Sequence, residues 1–513
     1  MSALIPITGV ALDFRVPGAF AEILFAQGPA SAAAGERQVV FVMPMLSTGT
    51  WTANTLYGPI TDSKVAEDGA GAGSPLHRGI RKFLKHNKDA KVWAVPVAET
   101  TGGSPVAGTM TITWATAPTG TGTTTVTVCG EDVSYSFKST DTVTTISTAI
   151  RDAINAKSWL PVTASISAGV LTLTAKLKGI SQGTASLGVI RVRGSISSGV
   201  ATTIALSGAF VGTTVAGAEG STTEATQLST ALATLDAVRK YYIVSSANDA
   251  TSLGNLKTHI VNKSEPRRGL RSRGITAYTG TGANGATIAT GRNYERLHMF
   301  WQENSDHDCA EIAAAMAAII QKAEQVDCTV NLAGYRLSDI ISPCYDAADR
   351  PTDTEQNDAI NDGLAPIGTD ELGAYLVMHV NTRSKNSAGT QDDFRATEGH
   401  RVSGADQFVD DLLVNYSLNF SQKKFKPDDV LADGKFNPNQ EQIANVVRPS
   451  TLVPFIKRKM DDYNSLGHLQ DVEASKSSLR VLKNGSRAEC GFDLHIIDHL
   501  LQATFRVAEV STG

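Results

Sequence analysis

A glycine-rich stretch is the first part of this sequence whose residue types and spacing could do chemistry. Residues 276–288 read TAYTGTGANGATI, and Gly280, Gly282 and Gly285 within them have the G-x-G-x-x-G spacing of dinucleotide-binding proteins. In those proteins the motif opens a long helix, whose N-terminal N–H groups bind the pyrophosphate. The pattern therefore raises the hypothesis of a nucleotide enzyme.

The sequence around the glycines argues against that hypothesis. The helix that the pattern predicts covers only about 283–290, has no strong apolar stripe and stops at Gly291. Glu303 has the spacing of a ribose ligand, but it follows a predicted strand. We interpret the motif as a strand-to-helix turn in an α/β layer.

No other catalytic or metal-binding pattern stands out. The sequence has no H-E-x-x-H pair, phosphate-binding loop or EF-hand loop, and its G-x-S-x-G match, GISQG at 179–183, is not followed by a predicted helix. In HIIDH, His495 and His499 would share one face of a strand, which indicates a packed or interfacial edge. The cysteines are odd in number and never spaced C-x-x-C, so we expect reduced, unligated thiols and neither a disulfide framework nor a zinc site. They are Cys129, Cys309, Cys328, Cys344 and Cys490.

Length and charge narrow the class of protein further. The 513 residues suggest about two to four domains, since a domain usually holds about 100–200 residues. The net charge of −5 and the lack of a basic tract disfavour a nucleic-acid-binding role. No apolar run approaches the roughly 18 residues of a membrane span, and the N-terminus does not resemble a signal peptide.

Ser74 and Pro75 begin the first element that the sequence defines well. Serine is a favoured N-cap and proline suits the first helical position, and the apolar residues that follow keep helical spacing up to Asn87. Residues 92–97 then read as a buried strand. Together they predict one α–β unit.

The composition changes at about 102–213, which is rich in threonine and poor in charge. Alternating patterns around Trp114, Tyr135 and Leu173 predict strands, and the spacing at 143–154 predicts one helix. Flexible, glycine-containing stretches bound the segment on both sides. We interpret it as an inserted β-rich domain that packs lightly on the core.

Alternating helices and strands resume after the insert. Ser221 and Glu224 form a possible capping box for a helix reaching Val238, and further strands and helices lead to a long helix at 308–323. Such alternation predicts a layered α/β core. The predicted fold class is therefore α/β (mixed α+β), with a core that the insert makes discontinuous in sequence.

Several stretches, taken in order, resemble the contractile tail sheath protein of Mu-like phages. RVPGAFAEILF is similar to that family's V-P-G-x-Y-x-E arm, with Phe20 in place of the tyrosine. The α–β unit above resembles the first part of the family's core. Four later stretches resemble successive further parts of it, namely GTGANGATIATGRNYERLHMFW, LSDIISP, TDTEQNDAINDGLAPI and LVMHVNTR. The run from Asn381 departs from the family pattern, where an arginine–threonine run is more usual. The ordered set, which covers nearly the whole chain, carries the resemblance.

The resemblance implies a structural protein and not an enzyme, with no cofactor and no metal. Such subunits form stacked hexameric rings around an inner tail tube, and contraction drives the tube through a bacterial envelope during genome ejection and host entry. The implied partners are further copies of the chain, the tail tube protein, and baseplate and tail terminator proteins, with no direct nucleic acid and no stable membrane insertion. The implied location is the virion tail of a phage or phage-tail-like device, after assembly in the host cytoplasm.

The same resemblance, with the composition changes above, divides the chain into six parts. They are an N-terminal linking arm (1–25), the first part of the α/β core (26–101), the inserted domain (102–213), the second part of the core (214–380), a C-terminal core domain (381–502) and a C-terminal linking strand (503–513).

Both termini also indicate how subunits could link. LLQATFRVAEV and AFAEILF alternate as strands do, but neither has an adjacent hairpin partner, so their edges need to be covered. They either pair within their own chain or add to the sheet of a neighbouring subunit, and the resemblance favours exchange. The predicted linking residues are Phe20, Glu22, Leu24, Phe505, Val507 and Val510.

One helix is a candidate for the surface that faces the tube, because the family places a helix near the C-terminal core there. In PFIKRKMDDYNSLGHL, Lys457, Arg458 and Lys459 would form a compact positive patch. The alternative is an ordinary solvated helix face.

Two other functions stay open. One is a non-contractile baseplate or envelope-binding structural protein with a carbohydrate-binding insert. The other is an α/β nucleotide-dependent enzyme with a β-rich accessory domain, which would need a clustered polar site that the sequence does not reveal.

Overall fold

The structure is a computed structural model, and it describes only part of the chain. The described residues are 36–99, 109–177, 190–197, 202–207, 224–337, 340–385, 397–429, 431, 437, 440–441 and 443–501.

Helices and strands alternate through most of these residues. The helices are α1 (Ser63–Ala70), α2 (Pro75–His86), α3 (Val143–Ala156), α4 (Glu224–Ala233), α5 (Ala250–Ser264), α6 (Gly282–Arg292), α7 (Cys309–Val326), α8 (Asp353–Asn361), α9 (Gly399–Phe420), α10 (Pro449–Ser465) and α11 (Val472–Ser478). The strands are β1 (Val39–Pro44), β2 (Tyr57–Ile60), β3 (Val92–Val97), β4 (Thr109–Trp114), β5 (Gly122–Val128), β6 (Glu131–Phe137), β7 (Val162–Ser167), β8 (Val170–Ala175), β9 (Val192–Ile196), β10 (Ile204–Ser207), β11 (Tyr242–Ser245), β12 (Arg273–Tyr278), β13 (Leu297–Trp301), β14 (Ala365–Asp370), β15 (Gly373–Leu376), β16 (Lys424–Phe425), β17 (Val446–Val447), β18 (Arg480–Asn484) and β19 (Arg487–Gly491).

Local sequence signals set the start of α2 as predicted. The Ser74 side chain accepts a hydrogen bond from the His77 amide at 3.1 Å, and Pro75 occupies the first turn. The helix ends at His86, beside the predicted stop at Asn87.

The helix after the insert is shorter than predicted. α4 ends at Ala233 and gives way to turns before Val238. The Thr234 hydroxyl donates to the Ala231 carbonyl at 2.7 Å, and such side-chain-to-backbone bonds compete with continued helix. Ser221 of the predicted capping box lies outside the described residues.

An eight-stranded sheet forms the centre of the core, in the order β15-β14-β13-β12-β11-β1-β3-β2. The six strands from β14 to β3 are parallel, whereas β2 and β15 pair antiparallel at the two edges. The strand order reverses at β1, since β3 lies on one side of it and β11 on the other. The insert leaves the chain between β3 and α4, so the two parts of one sheet are separated in sequence.

Side chains of β1 point alternately to two helical layers. Val40 and Val42 pack in an apolar cluster with residues of α4 and α5, including Leu232. On the opposite face, Phe41 contacts Phe83 of α2 with ring centroids 5.5 Å apart, and α7 packs beside α2. Such burial of both sheet faces is typical of parallel sheets. The core is therefore an α/β/α sandwich.

The insert has a core of its own, built from two antiparallel sheets and α3. The sheets have the orders β10-β4-β8-β7 and β6-β5-β9. Ile146, Ile150 and Ile154 of α3 pack against apolar residues of both sheets. With this module and the central sheet, the predicted fold class, α/β with mixed α+β character, is confirmed.

The chain divides into two compact units. The larger unit comprises Gly35–Val326 and Gly334–Gly399, and so contains the central sheet and the insert together. The described part of the smaller unit comprises Asp327–Ala333 and residues from His400 to 501. In the smaller unit, α9, α10 and the β18–β19 hairpin enclose an apolar cluster around Phe408, Met460 and Tyr463.

Candidate functional site

The glycine-rich motif forms the turn between β12 and α6, as the sequence predicted. α6 covers Gly282–Arg292, which is somewhat longer than the predicted helix. A Cβ atom on Gly282 would lie 2.7 Å from the Trp301 indole, and one on Gly285 would lie 2.9 Å from the Tyr278 ring. Glycine is needed at these two positions because the helix approaches aromatic side chains of the sheet.

The protein's own side chains cover the N-terminus of α6, where a pyrophosphate would lie. The Gly282 amide donates to Glu303 Oε2 at 3.2 Å, and Trp301 Nε1 donates to the Gly280 carbonyl at 2.9 Å. Burial raises the pKa of Glu303, although the bond from Gly282 opposes the rise. Glu303 thus caps the N-terminus of α6. The nucleotide hypothesis required the same carboxylate to bind a ribose instead.

A buried ionic cluster joins the sheet to α7. Glu324 accepts two bonds from Arg273 Nη1, at 2.8 Å to each carboxylate oxygen, and is also contacted by Arg37 and the Tyr242 hydroxyl. Arg273 Nε donates to His298 Nε2 at 3.1 Å. Glu324 and Arg273 are at most 3% exposed.

The pKa shifts in this cluster are typical of a buried ion pair with a structural role. Burial alone would raise the pKa of Glu324, but the guanidinium groups of Arg273 and Arg37 hold it below its usual range. His379 lies beside the cluster, with its ring centroid 4.9 Å from that of His298. Burial, helped by Arg273, lowers the pKa of His379 to about 3.

The position of the cluster also differs from that of an active site. Tyr242 and Arg273 are the first residues of β11 and β12, and Arg37 precedes β1. Ligands of open α/β sheets bind at the opposite edge, beyond the carboxyl ends of the strands. We therefore assign the cluster a role in stability.

A second buried cluster lies at the start of α7. Arg78 of α2 pairs with Asp308 and with Glu311, the latter at 3.2 Å, and His307 Nδ1 lies 2.9 Å from Glu311. Although burial opposes it, Arg78 holds the pKa of Glu311 far below its usual range. Gly130 in the β5–β6 turn of the insert lies against this cluster, because a Cβ there would approach His307 to 2.6 Å.

The insert contacts the core through ion pairs and hydrogen bonds. Arg193 of β9 donates from Nε to Asp306 Oδ1 at 2.8 Å, makes a second bond through Nη2, and lies 3.8 Å from the centroid of the Tyr345 ring. Other contacts between insert and core pair Arg81 with Glu131, Arg191 with Asp346, and Lys176 with the Ala72 carbonyl. The composition change that marks the insert carries no information about these long-range pairs.

The three candidate tube-facing residues lie in α10 and differ in their surroundings. Lys459 Nζ pairs with Asp411 of α9 at 2.9 Å, and lies 3.7 Å from Asp462. Arg458 is exposed and Lys457 half-buried, and neither forms an ion pair with a described residue. The net positive charge of the run therefore comes from Lys457 and Arg458.

The predicted linking residues Phe20, Glu22, Leu24, Phe505, Val507 and Val510 lie outside the described residues. The segment that leads to the C-terminal arm is described up to Leu501. It is not the strand that HIIDH suggested, since only Ile496 forms a bridge, to Leu469. The predicted packing of His499 does occur, because its ring lies 3.7 Å from that of His400.

The five cysteines are all described, and none of them forms a disulfide. In the described part of the chain, no helix is long and apolar enough to cross a membrane.

Comparisons with known proteins identify what this arrangement resembles. No protein-family model matches the chain. The Mu-like prophage FluMu tail sheath protein of Haemophilus influenzae is 24% identical over 257 residues, which are 50% of this chain and 50% of the relative. The resemblance to Mu-like tail sheath proteins is confirmed. The match thus spans about half the length of that tail sheath protein.

A solved sheath tail protein, from Desulfitobacterium hafniense, is also similar. It aligns over 92% of this chain and 93% of its own, with a TM-score of 0.43 and 14% identity. A similarity of this size establishes neither a shared function nor shared partners.

Proposed function

We propose that this chain is the structural subunit of a contractile phage tail sheath. The subunits polymerise as stacked hexameric rings around an inner tail tube, and the lattice contracts to drive the tube through a bacterial envelope. The observation that carries the proposal is the similarity to the FluMu tail sheath protein. The proposal gives the chain no catalytic residue and no cofactor, and places it in the virion tail after assembly in the host cytoplasm.

The β18–β19 hairpin supports linkage of subunits by strand addition. Its two strands pair over five residues each, from Arg480↔Gly491 to Asn484↔Arg487, and neither pairs with a third strand among the described residues. An isolated two-stranded sheet is only marginally stable, and open strand edges attract further strands.

One face of the hairpin is already covered. Val481 and Cys490 lie opposite each other and pack against the apolar cluster of the smaller unit. Along the backbone edges of the hairpin, no further strand lies among the described residues. We propose that the terminal arms, with Phe505 and Val507 in the C-terminal one, supply strands to hairpins of neighbouring subunits.

The tube-facing surface is proposed to include α10. Lys457 and Arg458 supply positive charge to it, and Lys459 is held in its intramolecular pair with Asp411. The proposed partners at the two ends of the sheath are the baseplate and tail terminator proteins.

Negative-stain microscopy of the purified full chain tests this function. We expect long hollow cylinders, with and without added tail tube protein, and six-fold symmetry in end views. Discrete particles under all conditions would contradict the sheath proposal and favour a non-contractile baseplate or envelope-binding protein.

A further inference from the structure

Three side chains with metal-binding atoms meet in the smaller unit. Asp327 and Cys328 directly follow α7, and His468 lies between α10 and α11. The carboxylate oxygen, the sulfur and a ring nitrogen of these residues all lie within 4.8 Å of one another. Cys328 is buried, and the His468 side chain is 12% exposed.

The spacing of these atoms suits one small ion. His468 Nδ1 lies 3.3 Å from Asp327 Oδ1. Two ligand atoms that bind zinc tetrahedrally, each at about 2.0–2.2 Å, are separated by roughly 3.3–3.6 Å. The pair therefore needs little movement to share an ion, and the Cys328 sulfur is close enough to complete a set of three.

We propose that Asp327, Cys328 and His468 form a zinc-binding site. A thiolate with an imidazole is a ligand set for borderline-soft transition ions, whereas Mg²⁺ and Ca²⁺ take oxygen ligands. Three protein ligands leave a fourth tetrahedral position for water or another donor. Binding releases the thiol proton of Cys328, and the metal takes the lone pair of a neutral His468 ring.

Thr329 orients the first ligand. Its amide and its hydroxyl each donate to Asp327 Oδ1 at 2.8 Å. The hydroxyl also lies 2.5 Å from His468 Nδ1, so that contact gives way to the metal when zinc binds. The bonds to Asp327 persist and hold its carboxylate, as partners of metal ligands commonly do.

The site ties together segments that are far apart in the chain. His499 Nε2 lies 2.7 Å from the Thr329 carbonyl, and its ring is tilted by 31° against that of His400. The His468 carbonyl accepts a bond from the Ile497 amide at 3.4 Å, so zinc would fix the segment after α7 to the connection between α10 and α11, which already pairs with the stretch that leads to the C-terminal arm. The zinc site does not depend on the sheath proposal, since metal binding is measured on the unassembled chain.

The test measures zinc on the purified full chain. The protein is stripped with a chelator, dialysed against a small excess of Zn²⁺, and analysed for bound metal. We expect one zinc per chain, and a thiolate-to-metal absorption band when Co²⁺ is used in its place. Cys328→Ser and His468→Ala should lose this binding, whereas Cys490→Ser, in the same unit, should bind as the wild type does.

A milder substitution distinguishes the loss of a zinc ligand from misfolding of the protein. Asp327→Asn keeps an oxygen that accepts both Thr329 bonds but loses the charge, and it should weaken zinc binding by at least the roughly 10–100-fold that loss of a ligand's hydrogen-bond partner causes. Zinc should raise the melting temperature of the wild type and of Cys490→Ser but not of Cys328→Ser. Absence of stoichiometric binding to the wild type, equal binding by Cys328→Ser, or a Co²⁺ spectrum without a thiolate band would overturn the proposal.

Discussion

Arg193 of the insert and Asp306 of the core form a two-bonded ion pair, in which Nε lies 2.8 Å from Oδ1 and Nη2 contacts Oδ2. The Asp306 side chain is 5% exposed, whereas that of Arg193 is 25% exposed. The buried Asp306 carboxylate of the core is thus paired with the Arg193 guanidinium of the insert.

Substitution of Arg193 should therefore destabilise the protein. Arg193→Ala leaves the Asp306 carboxylate buried without its partner, at a cost of about 1–3 kcal/mol, which would lower the midpoint of urea unfolding. Arg151→Ala is the matched control, because Arg151 pairs with Asp152, whose side chain is 62% exposed, and such pairs contribute about 0–1 kcal/mol. Equal effects of the two substitutions would show that the insert is only loosely attached.

The glycine motif gives a pair of opposite predictions within one helix. Gly285→Ala should destabilise by about 1–3 kcal/mol, since its methyl group would meet Tyr278 and Leu364 at 2.9 and 3.0 Å. Gly291→Ala has open space around its Cβ and should stabilise by about 0.5–1 kcal/mol, because alanine favours helix. Thermal melts of both variants, with and without NAD, provide the measurement. A rise in melting temperature on adding NAD to the wild type would revive the nucleotide hypothesis.

Acid should destabilise the fold in two pH ranges. Burial lowers the pKa of His379 to about 3 from an ordinary value of 6.5, so below about pH 6.5 the unfolded chain binds a proton that the folded chain does not. Stability then falls by up to about 1.4 kcal/mol per pH unit for this residue. Glu324 has a lowered pKa despite its burial, so it adds a loss as the pH falls below its ordinary value of 4.5.

His379→Phe tests the first range. The variant has no proton to gain at this position, so its unfolding midpoint should fall less steeply between pH 6.5 and 5 than that of the wild type. Identical slopes would contradict the assignment of a neutral, buried His379.

Charge reversal on α10 should separate tube binding from stability. Lys457→Glu with Arg458→Glu should weaken co-assembly with tubes and leave the melting temperature nearly unchanged. Lys459→Glu should instead lower the melting temperature, because it faces Asp411, whose side chain is 12% exposed. Co-sedimentation with tubes at low salt, where charges are least screened, is the measurement. Unchanged co-sedimentation of the double variant would remove α10 from the tube-facing surface.

Local signals account for what the sequence predicted well. The cap at Ser74 with Pro75, and the apolar runs of β3 and β13, act within a few residues, so these elements and the α/β class follow from them. The strand predicted at HIIDH was wrong. Alternation of residue types along the chain indicates a strand-like period, but it does not show whether a partner strand lies beside it.

The polar clusters could not be predicted because the fold assembles them from distant segments. Arg37 meets Glu324, and Cys328 meets His468, only after the central sheet and the smaller unit have formed. The cysteine spacing bears only on a local zinc motif, and it says nothing about a site whose histidine comes from the connection between two helices.

The most direct test of linkage through the terminal arms is removal of each arm, followed by microscopy and thermal melting. One variant lacks residues 1–25, and another ends at Leu501, which keeps His499 and its contact with the Thr329 carbonyl. Val507→Pro is the point-variant counterpart, because proline removes one backbone donor from the arm. We predict hollow cylinders from the full chain, and from both truncated proteins folded monomers that melt close to the wild type and form no cylinders. Cylinders from the truncated chains, or unfolding of those chains, would contradict the claim that the arms link subunits of a sheath.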